Sequence, residues 1–517
     1  MNPQYLSSIN SCGSAHKGSF SETLRRLLFV EQFPIDIDYQ PHQIFLHWRG
    51  RNEIGCDFKK EVKKRMNVLL ELTSSSVMAV ADATAAAGKI ELGRTVEIMA
   101  TVLFALAVVH TFCVKIFAKL AHKYPEGSLL ENVFHFLAET EIVFGIWAAV
   151  LFLFVWAFRF SLSDAIQYIE HNVNYTEAKF VLVIMVVAAT RPVVNLAESI
   201  VLWIARLIPI KESVSFYIAA LGFGSLLGSF ITEPAAMTLL AMLLKRRYFD
   251  QSISKSLAYA TIGLLFVNVS IGGTLTHFAA PPVLMVASKW EWGTGFMLRT
   301  FGWRAFASCI ISTLLVVAIF WKQLNAVDVD KSEQQKIPGW LTGLHVLFLA
   351  LVVVFSHHPD IFFGVFMIFL GLVTATKEYQ EPLKLKEGLL VGFFLAGLVT
   401  MGSLQEYWVK PLITSLKDAQ LYFGATALTA ITDNAALTSL GALVPLDQLT
   451  PMLQYALVAG AVTGGGLTVI ANAPNPAGAG ILSTSKSFEG TGISPLGLFL
   501  GAAPPTVVAI VFFWLLK

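Results

Sequence analysis

The chain has 517 residues, of which 55% are hydrophobic and only 14% are charged, with a net charge of +2. A soluble protein of this length carries about 25% charged residues, so the composition excludes an ordinary soluble globular protein and indicates a polytopic membrane protein. The small net charge gives no indication of a nucleic-acid partner. The four cysteines are scattered, without the spacing of a disulfide framework or of a metal site.

The first part of the chain, residues 1–96, is more polar than the rest. Its stretch "RNEIGCDFKKEVKKRM" at 51–66 concentrates basic side chains. We interpret this part as a polar and basic arm that lies on the membrane surface, with a folded regulatory domain as the alternative. The mildly apolar stretch 66–90 contains Glu71 and Asp82, so we do not expect it to cross the bilayer. With ten crossings the basic arm would lie outside, against the positive-inside rule, so a crossing by 66–90 is the alternative.

Ten hydrophobic runs downstream are long enough, at roughly 20 residues each, to cross a bilayer as helices. The predicted crossings are 97–121, 140–158, 179–208, 256–285, 297–321, 339–357, 361–376, 389–409, 453–483 and 495–516. Two further apolar stretches, 214–244 and 412–445, are each interrupted near the middle, which leaves halves of about ten residues that are too short to cross. We interpret both as re-entrant hairpins, whose irregular backbone must be satisfied by protein or water.

The two interrupted stretches share a motif, which reads ITEPAAMT at 231–238 and ITDNAALT at 431–438. The loop after the first motif, 244–255, is rich in Lys and Arg and is therefore predicted to be cytoplasmic. The loop after the second, 444–452, has neither residue and is predicted to face outward. The same motif is thus followed by loops on opposite sides of the membrane. This arrangement indicates inverted-topology repeats, as in many secondary transporters.

Further matches follow in the same order in both halves: "IGGTLTHFAAPP" at 271–282 corresponds to "GGGLTVIANAPNP" at 464–476. The sequence therefore predicts an all-α polytopic membrane protein with inverted-topology repeats, about ten transmembrane helices, two re-entrant hairpins and two unwound helices. The predicted segments are the N-terminal arm 1–96, an additional transmembrane helix and loop at 97–139, inverted repeat 1 at 140–322, a linker with a connecting helix at 323–360, and inverted repeat 2 at 361–517.

The carboxylates of the two shared motifs are the strongest candidates for an ion site. An ionised carboxylate at mid-membrane costs roughly 2.5–3.5 kcal/mol by insertion scales, so it persists only with a partner, a cation or a proton. Hydroxyl and amide oxygens nearby, and the free carbonyls of a broken helix, suit a hard cation. A role of Asp433 only as a helix N-cap is the alternative. The predicted ligands are Thr432, Asp433, Asn434 and Thr438, with Na+ on Asp433 and Asn434, and Thr232 and Glu233 in the first motif, where Pro234 offers no side-chain ligand.

The Gly-Gly motifs are predicted to unwind two helices beside the hairpins. Glycine allows close approach of the backbone, and proline frees an upstream carbonyl that can bind an ion. Tight helix packing through small residues is the alternative. The candidate ion ligands are Gly273, Thr274 and Thr276 in the first half, and Gly465, Thr468, Asn472 and Asn475 in the second.

Four further polar residues are assigned to proton relay or to support of the site. His277 is a candidate proton relay, because histidine titrates near neutral pH, with simple packing as the alternative. Arg191 and Glu198 would share one face of the predicted helix 179–208, as an internal ion pair or as groups that support the ion site. Glu406 aligns with Glu198 in the second half.

Two stretches of the second half resemble the signatures of the ion transporter superfamily: "DNAALTSLGALVP" at 433–445 and "GGGLTVIANAPNPAGAGI" at 464–481. That group includes arsenite permeases, antiporters of the NhaD and NhaB types and sodium–dicarboxylate symporters. From about residue 100 the chain most resembles a Na+/H+ antiporter family within it. The resemblance implies two hairpins with polar tips around one site. It places Asp433, Asn434 and Thr438 at a tip, and Gly465, Thr468, Pro474 and Asn475 on an unwound helix.

We expect a secondary active transporter that performs Na+/H+ antiport by alternating access, with protons and cations competing for the intramembrane carboxylates. The alternative is a Na+- or H+-coupled symporter of an anion or small organic acid, with Arg191 as its anion clamp. No enzymatic activity and no cofactor are expected beyond the transported Na+ and H+, since the chain has neither G-x-G-D nor H-E-x-x-H. The expected environment is the lipid bilayer of the bacterial inner membrane, and a homodimer is left open.

Overall fold

The computed structural model describes residues 35–40, 43–48, 91–139, 142–251, 253–327, 337–488 and 492–517. The chain divides into two units, residues 1–88 and residues 89–517. The first unit contains an antiparallel hairpin of strand β1, Ile35–Gln40, and strand β2, Gln43–Trp48. The predictions for the surface arm and for the stretch 66–90 lie largely outside the described residues.

Helices account for the regular secondary structure described in the second unit, as expected for an all-α polytopic membrane protein. The helices are α1 Arg94–Ala121, α2 Leu129–Leu137, α3 Val143–Arg159, α4 Leu162–Gln167, α5 Thr176–Ala188, α6 Arg191–Leu207, α7 Glu212–Ile218, α8 Gly228–Ile231, α9 Glu233–Arg247, α10 Lys255–Gly272, α11 Pro281–Ala287, α12 Thr294–Met297, α13 Trp303–Ala326, α14 Gly339–Val354, α15 Pro359–Ala375, α16 Leu385–Gly402, α17 Glu406–Ser415, α18 Asp418–Thr429, α19 Asn434–Gly441, α20 Pro451–Gly464, α21 Asn475–Ser483 and α22 Pro495–Ile510.

Within the described ranges, six helical segments are long and apolar enough to cross a membrane, or up to seven if one bent pair counts as a single span. Three more apolar helices, α3, α14 and α15, have 17, 16 and 17 residues. These lengths are close to the lower limit of about 17 residues for a spanning helix. The predicted number of ten crossings and the inverted relation of the two repeats remain predictions.

The predicted crossing 179–208 is bent instead of straight. Helix α5 ends at Ala188, helix α6 begins at Arg191, and the two are bent by 69°. Pro192 lies in the first turn of α6. Proline lacks a backbone N–H and its ring disfavours a helical residue before it, so the helix cannot run through this position unbroken.

The first interrupted stretch also differs from its prediction, because its first limb, Glu212–Ile231, is 20 residues long instead of about ten. This limb joins α7 to α8 through a π-helical turn at Ala219–Phe223 and a 3-10 turn at Gly224–Leu227. These turns continue the helix until the break before Pro234. In the second stretch, α18 has 12 residues and α19 has 8, close to the predicted lengths. The re-entrant path of both stretches remains a prediction.

Two helices are interrupted at the Gly-Gly motifs, as predicted. Helix α10 ends at Gly272 and α11 begins at Pro281, while α20 ends at Gly464 and α21 begins at Asn475. The short helices then pack reciprocally: α9 contacts α21, and α11 contacts α19. The second limb of each hairpin is thus held by a half-helix from the opposite half of the chain, which brings the two shared motifs to the two unwound segments.

Candidate ion-binding site

Glu233 is the first residue of α9, and its side chain is completely buried. Its Oε2 accepts a hydrogen bond of 2.9 Å from Asn472 Nδ2, in the unwound segment of the second half. Its Oε1 has no hydrogen-bond partner among the described residues. Gly273 lies so close that a Cβ at this position would overlap the Glu233 carboxyl group. The carboxylate is therefore held between the unwound segments of both halves.

The backbone at Thr232, immediately before α9, is strained. Its φ of 71° and ψ of 150° place a β-branched residue in a region that such residues rarely adopt. Conformations of this kind cost on the order of 1–3 kcal/mol and occur mostly at functional sites. The Glu233 amide, next in the chain, donates a long hydrogen bond of 3.5 Å to the carbonyl of Ala279. This contact ties the break in the hairpin to the unwound segment that follows α10.

Asp433 occupies the corresponding position in the second motif, where it caps α19. Its Oδ1 accepts hydrogen bonds from the amides of Ala435 (2.8 Å) and Ala436 (3.2 Å), and the Ala473 amide also interacts with the carboxyl group. The capping alternative is therefore correct as geometry. The Asp433 side chain is half-buried and lines a cavity of about 290 Å³. Both capping hydrogen bonds end on Oδ1, and the side chain still reaches the cavity.

Asn434 follows Asp433 and is completely buried. In the described segments, neither Nδ2 nor Oδ1 of this side chain makes a hydrogen bond. A Cβ at Gly465 would lie 2.9 Å from Asn434 Nδ2, so glycine is needed for this close approach. Asn475 Nδ2 donates to the carbonyls of Gly465 (2.8 Å) and Thr468 (2.9 Å). The two asparagines thus meet at the Gly-Gly motif of the second half.

Five of the six predicted threonine ligands donate their hydroxyl hydrogens to backbone carbonyls, which leaves oxygen lone pairs on each. The exception is Thr232, whose hydroxyl makes no hydrogen bond within the described residues. Two of these bonds join an unwound segment to a hairpin, since Thr276 donates to the carbonyl of Ser229 and Thr468 to that of Ala430. The others stay local. They are Thr274 to Ile271 (2.6 Å), Thr432 to Leu428 (2.9 Å), and Thr438 to Asn434 and Ala435 (3.2 Å each).

Buried polar atoms without hydrogen bonds are concentrated at these motifs. Among the described residues there are thirteen such side-chain atoms, and seven belong to the motifs and the helix end beside them. Native proteins satisfy nearly all buried polar atoms, because each exception costs about 1–3 kcal/mol. Six of the seven are oxygens, which is the ligand type of a hard cation. They belong to Thr232, Glu233, Thr429, Asn434, Asn472 and Asn475.

Thr429 is the member of this set that sequence analysis missed. It is the last residue of α18, completely buried, and lies four positions before Asp433. Its position at the end of the helix that leads into the motif, four residues before Asp433, is the signal that could have identified it. The described part of the chain contains no group of three or more His, Cys, Asp or Glu residues that could hold a metal ion. The set is therefore dominated by neutral oxygens, with a single carboxylate in it.

Arg191 and Glu198 do not form the predicted pair with each other. Arg191 pairs with Glu381 and Glu198 pairs with Arg246, both at 3.8 Å. Seven residues along a helix span about 10 Å, which is too far for a direct ion pair. Arg246 lies at the end of α9 opposite to Glu233, about 20 Å away, so Glu198 lies far from the candidate site.

His277 and Glu406 also lie apart from the two carboxylates. His277 Nδ1 is 2.8 Å from the hydroxyl of Thr294, and within the described ranges it has no hydrogen bond to Glu233 or Asp433. Glu406 is exposed at the start of α17. Among the predicted supporting residues, the structure therefore brings none into direct contact with the carboxylates.

Gly273→Ala is expected to abolish exchange and to destabilise the protein. The added methyl group would overlap the Glu233 carboxyl group, and such overpacking costs about 1–3 kcal/mol. The measurements are cation-driven proton flux in liposomes and the thermal unfolding midpoint. Gly343→Ala on α14, where a Cβ meets no atom within 4 Å, is the matched control and should behave like the wild type. A fully active Gly273→Ala protein would contradict the close packing of Glu233.

Comparison with known families agrees with this membrane architecture. No curated protein matches the sequence. The model of the family described as "Putative Na+/H+ antiporter" matches residues 95–516, which is most of the chain and includes both shared motifs and both Gly-Gly motifs. The description names ion transport instead of an enzymatic activity. The chain is an integral membrane protein that belongs to this Na+/H+ antiporter family.

Proposed function

We propose that this protein exchanges Na+ for H+ by alternating access, with the two ions competing for the carboxylates of Asp433 and Glu233. The observation that supports the proposal best is the set of six buried oxygens without hydrogen bonds at the two shared motifs and the second unwound segment. Such oxygens are stabilised by a small hard cation. The proposed site consists of the six residues that carry these oxygens, together with Asp433.

Competition between the two ions follows from the surroundings of the carboxylates. An ionised carboxylate in a dry interior is very costly, so it keeps either a cation or a proton. Glu233 is completely buried, and it lies within electrostatic range of Asp433. Two like charges at this range repel each other. A proton that binds to the pair lowers its attraction for Na+, and this competition couples the two fluxes.

Alternating access is supported by the unequal exposure of the two carboxylates. Asp433 lines a cavity, whereas Glu233 is sealed from solvent. The two are linked mechanically, because α9 packs against α21 and α11 packs against α19. A movement of one hairpin therefore displaces a half-helix from the other half of the chain. We infer that the two repeats, 140–322 and 361–517, move relative to each other around the site, as in inverted-repeat transporters.

A cation substrate is favoured over the anion of the symporter alternative. The two motifs each carry a carboxylate, and the negative charges of Glu233 and Asp433 repel an anion. Arg191, the residue considered as an anion clamp, lies 3.8 Å from Glu381 and has part of its charge compensated there. We further propose the bacterial inner membrane as the location, with the basic loop 244–255 on the cytoplasmic side.

Exchange is tested by reconstituting the protein into liposomes that contain a pH-sensitive dye. External Na+ should raise the internal pH, because each Na+ that enters drives protons out. Li+ and K+ are compared in the same way, and protein-free liposomes are the control. If none of the three cations moves protons, the antiporter proposal is wrong. Uptake of labelled dicarboxylate driven by a Na+ gradient, without proton exchange, would instead support the symporter.

A further inference from the structure

The cavity beside Asp433 has a mostly apolar lining, and apolar side chains offer no ligands to an inorganic cation. Its volume is about 290 Å³, and it lies between the second hairpin, α18 and α19, and helices α1, α3, α16 and α17. Most of the lining is apolar, and Asp433 is the one charged side chain among the described residues that line it. Representative lining residues are Phe104, Phe144, Phe394, Leu412 and Leu437.

Asn472 is a polar residue of the lining that connects the cavity to Glu233. Asn472 lines the cavity, is 1% exposed, and donates its Nδ2 hydrogen to Glu233. Its Oδ1 makes no hydrogen bond within the described part of the chain. The cavity therefore combines the Asp433 carboxylate with a large apolar wall. Apolar cavities with a few well-placed polar groups are typical binding sites for small organic molecules.

We propose that this cavity binds a small amphiphilic organic cation, a primary alkylammonium ion, in competition with the transported inorganic cation. The ammonium group has three N–H donors and a positive charge, and it would bind the Asp433 carboxylate. The alkyl chain would lie along the apolar wall, where each buried methylene adds to the affinity. The inference rests on the proposed function only in so far as Asp433 is the carboxylate that binds the transported cation.

A neutral lipid chain is the other occupant that such a wall would accept. It would fill the apolar volume but would leave the negative charge of the Asp433 carboxylate without a counter-charge. A buried unsatisfied polar group is costly, and a charged one more so. Charge complementarity therefore favours the ammonium ion, and the experiment compares it directly with an uncharged ligand of the same length.

Binding is measured on the full-length protein in lipid nanodiscs, by calorimetric titration with n-alkylammonium chlorides from propyl to heptyl. The affinity should rise about fourfold with each added methylene. The n-alkanols of the same lengths should bind at least tenfold more weakly, and Na+ should weaken the binding of the amine. Empty nanodiscs correct for partitioning into lipid. Asp433→Asn should remove the preference for the ammonium over the alcohol.

A cavity-filling variant tests the apolar wall separately from the charge. Gly424 lines the cavity, and a Cβ there meets no atom within 4 Å. Gly424→Leu should therefore occupy the space, weaken hexylammonium binding about tenfold and flatten the dependence on chain length. Gly371→Leu on α15 adds the same side chain at an exposed position that also has open space, and it should bind like the wild type.

Equal binding of alcohols and ammonium ions, or an unchanged chain-length dependence in Gly424→Leu, would overturn the inference. Na+/H+ exchange is measured on the same preparations, so that the two proposals can fail separately. Amine binding without any exchange would refute the proposed function and leave this inference standing. Exchange without amine binding would refute this inference alone.

Discussion

Asp433→Asn is expected to lower the rate of Na+-driven proton exchange about 100-fold and to leave the protein folded. The bound cation must offset the roughly 2.5–3.5 kcal/mol cost of the ionised carboxylate in the membrane, and asparagine loses this attraction. Folding should persist because asparagine is as good an N-cap as aspartate, so its side-chain oxygen can still accept from Ala435 and Ala436. The rate is measured in dye-loaded liposomes, and folding is measured as the thermal unfolding midpoint.

The matched control for this variant is Asp447→Asn. Asp447 is exposed in the loop that follows α19, and it undergoes the same chemical change without any contact with the candidate site. Its exchange should equal that of the wild type. If Asp433→Asn retains full exchange, the assignment of the cation site is wrong, even when the antiport activity itself is demonstrated.

Glu233→Gln is expected to reduce exchange tenfold or more while Na+ still binds at Asp433. Glutamine has the same shape and can accept the hydrogen bond from Asn472, but it carries no charge and releases no proton. A hydrogen bond to a charged group is worth about 1.4 kcal/mol more than one to a neutral group, which corresponds to the tenfold minimum loss. Exchange is measured in liposomes, and Na+ binding is measured as the Na+-dependent rise in the unfolding midpoint.

Glu387→Gln serves as the control for this second variant, because Glu387 is exposed in the first turn of α16. Wild-type exchange in Glu233→Gln would show that the buried carboxylate takes no part in proton transfer. If Glu233→Gln loses both exchange and the Na+-dependent rise in the unfolding midpoint, Glu233 is a direct cation ligand. The two measurements therefore distinguish its roles.

Much of the candidate site could be predicted because its residues occur in short local motifs. The breaks at Gly272 and Gly464 follow from glycine and proline chemistry within the motif itself. The capping by Asp433 likewise depends on residues two and three positions away. Local chemistry of this kind can be interpreted without knowledge of the tertiary structure.

Contacts between distant parts of the chain could not be predicted in the same way. The hydrogen bond between Glu233 and Asn472 joins residues 239 positions apart, and neither motif indicates which group it will meet. The partners of Arg191 and Glu198 depend on where α6 points after a 69° bend, which a smooth hydropathy profile does not reveal. The long first limb Glu212–Ile231 was missed because irregular helical turns bridge its glycines.

The reciprocal packing of α9 with α21 and of α11 with α19 has a consequence for biosynthesis. Helices α11, α19 and α21 have only 7, 8 and 9 residues, and isolated helices shorter than about 12–15 residues are marginal in water. A nascent chain that ends before residue 337 contains α9 and α11 but neither of their partners. Until the second half is made, the Glu233 carboxylate lacks its hydrogen bond from Asn472. The candidate site is therefore completed only after residues 434–483 have been synthesised and have packed against α9 and α11.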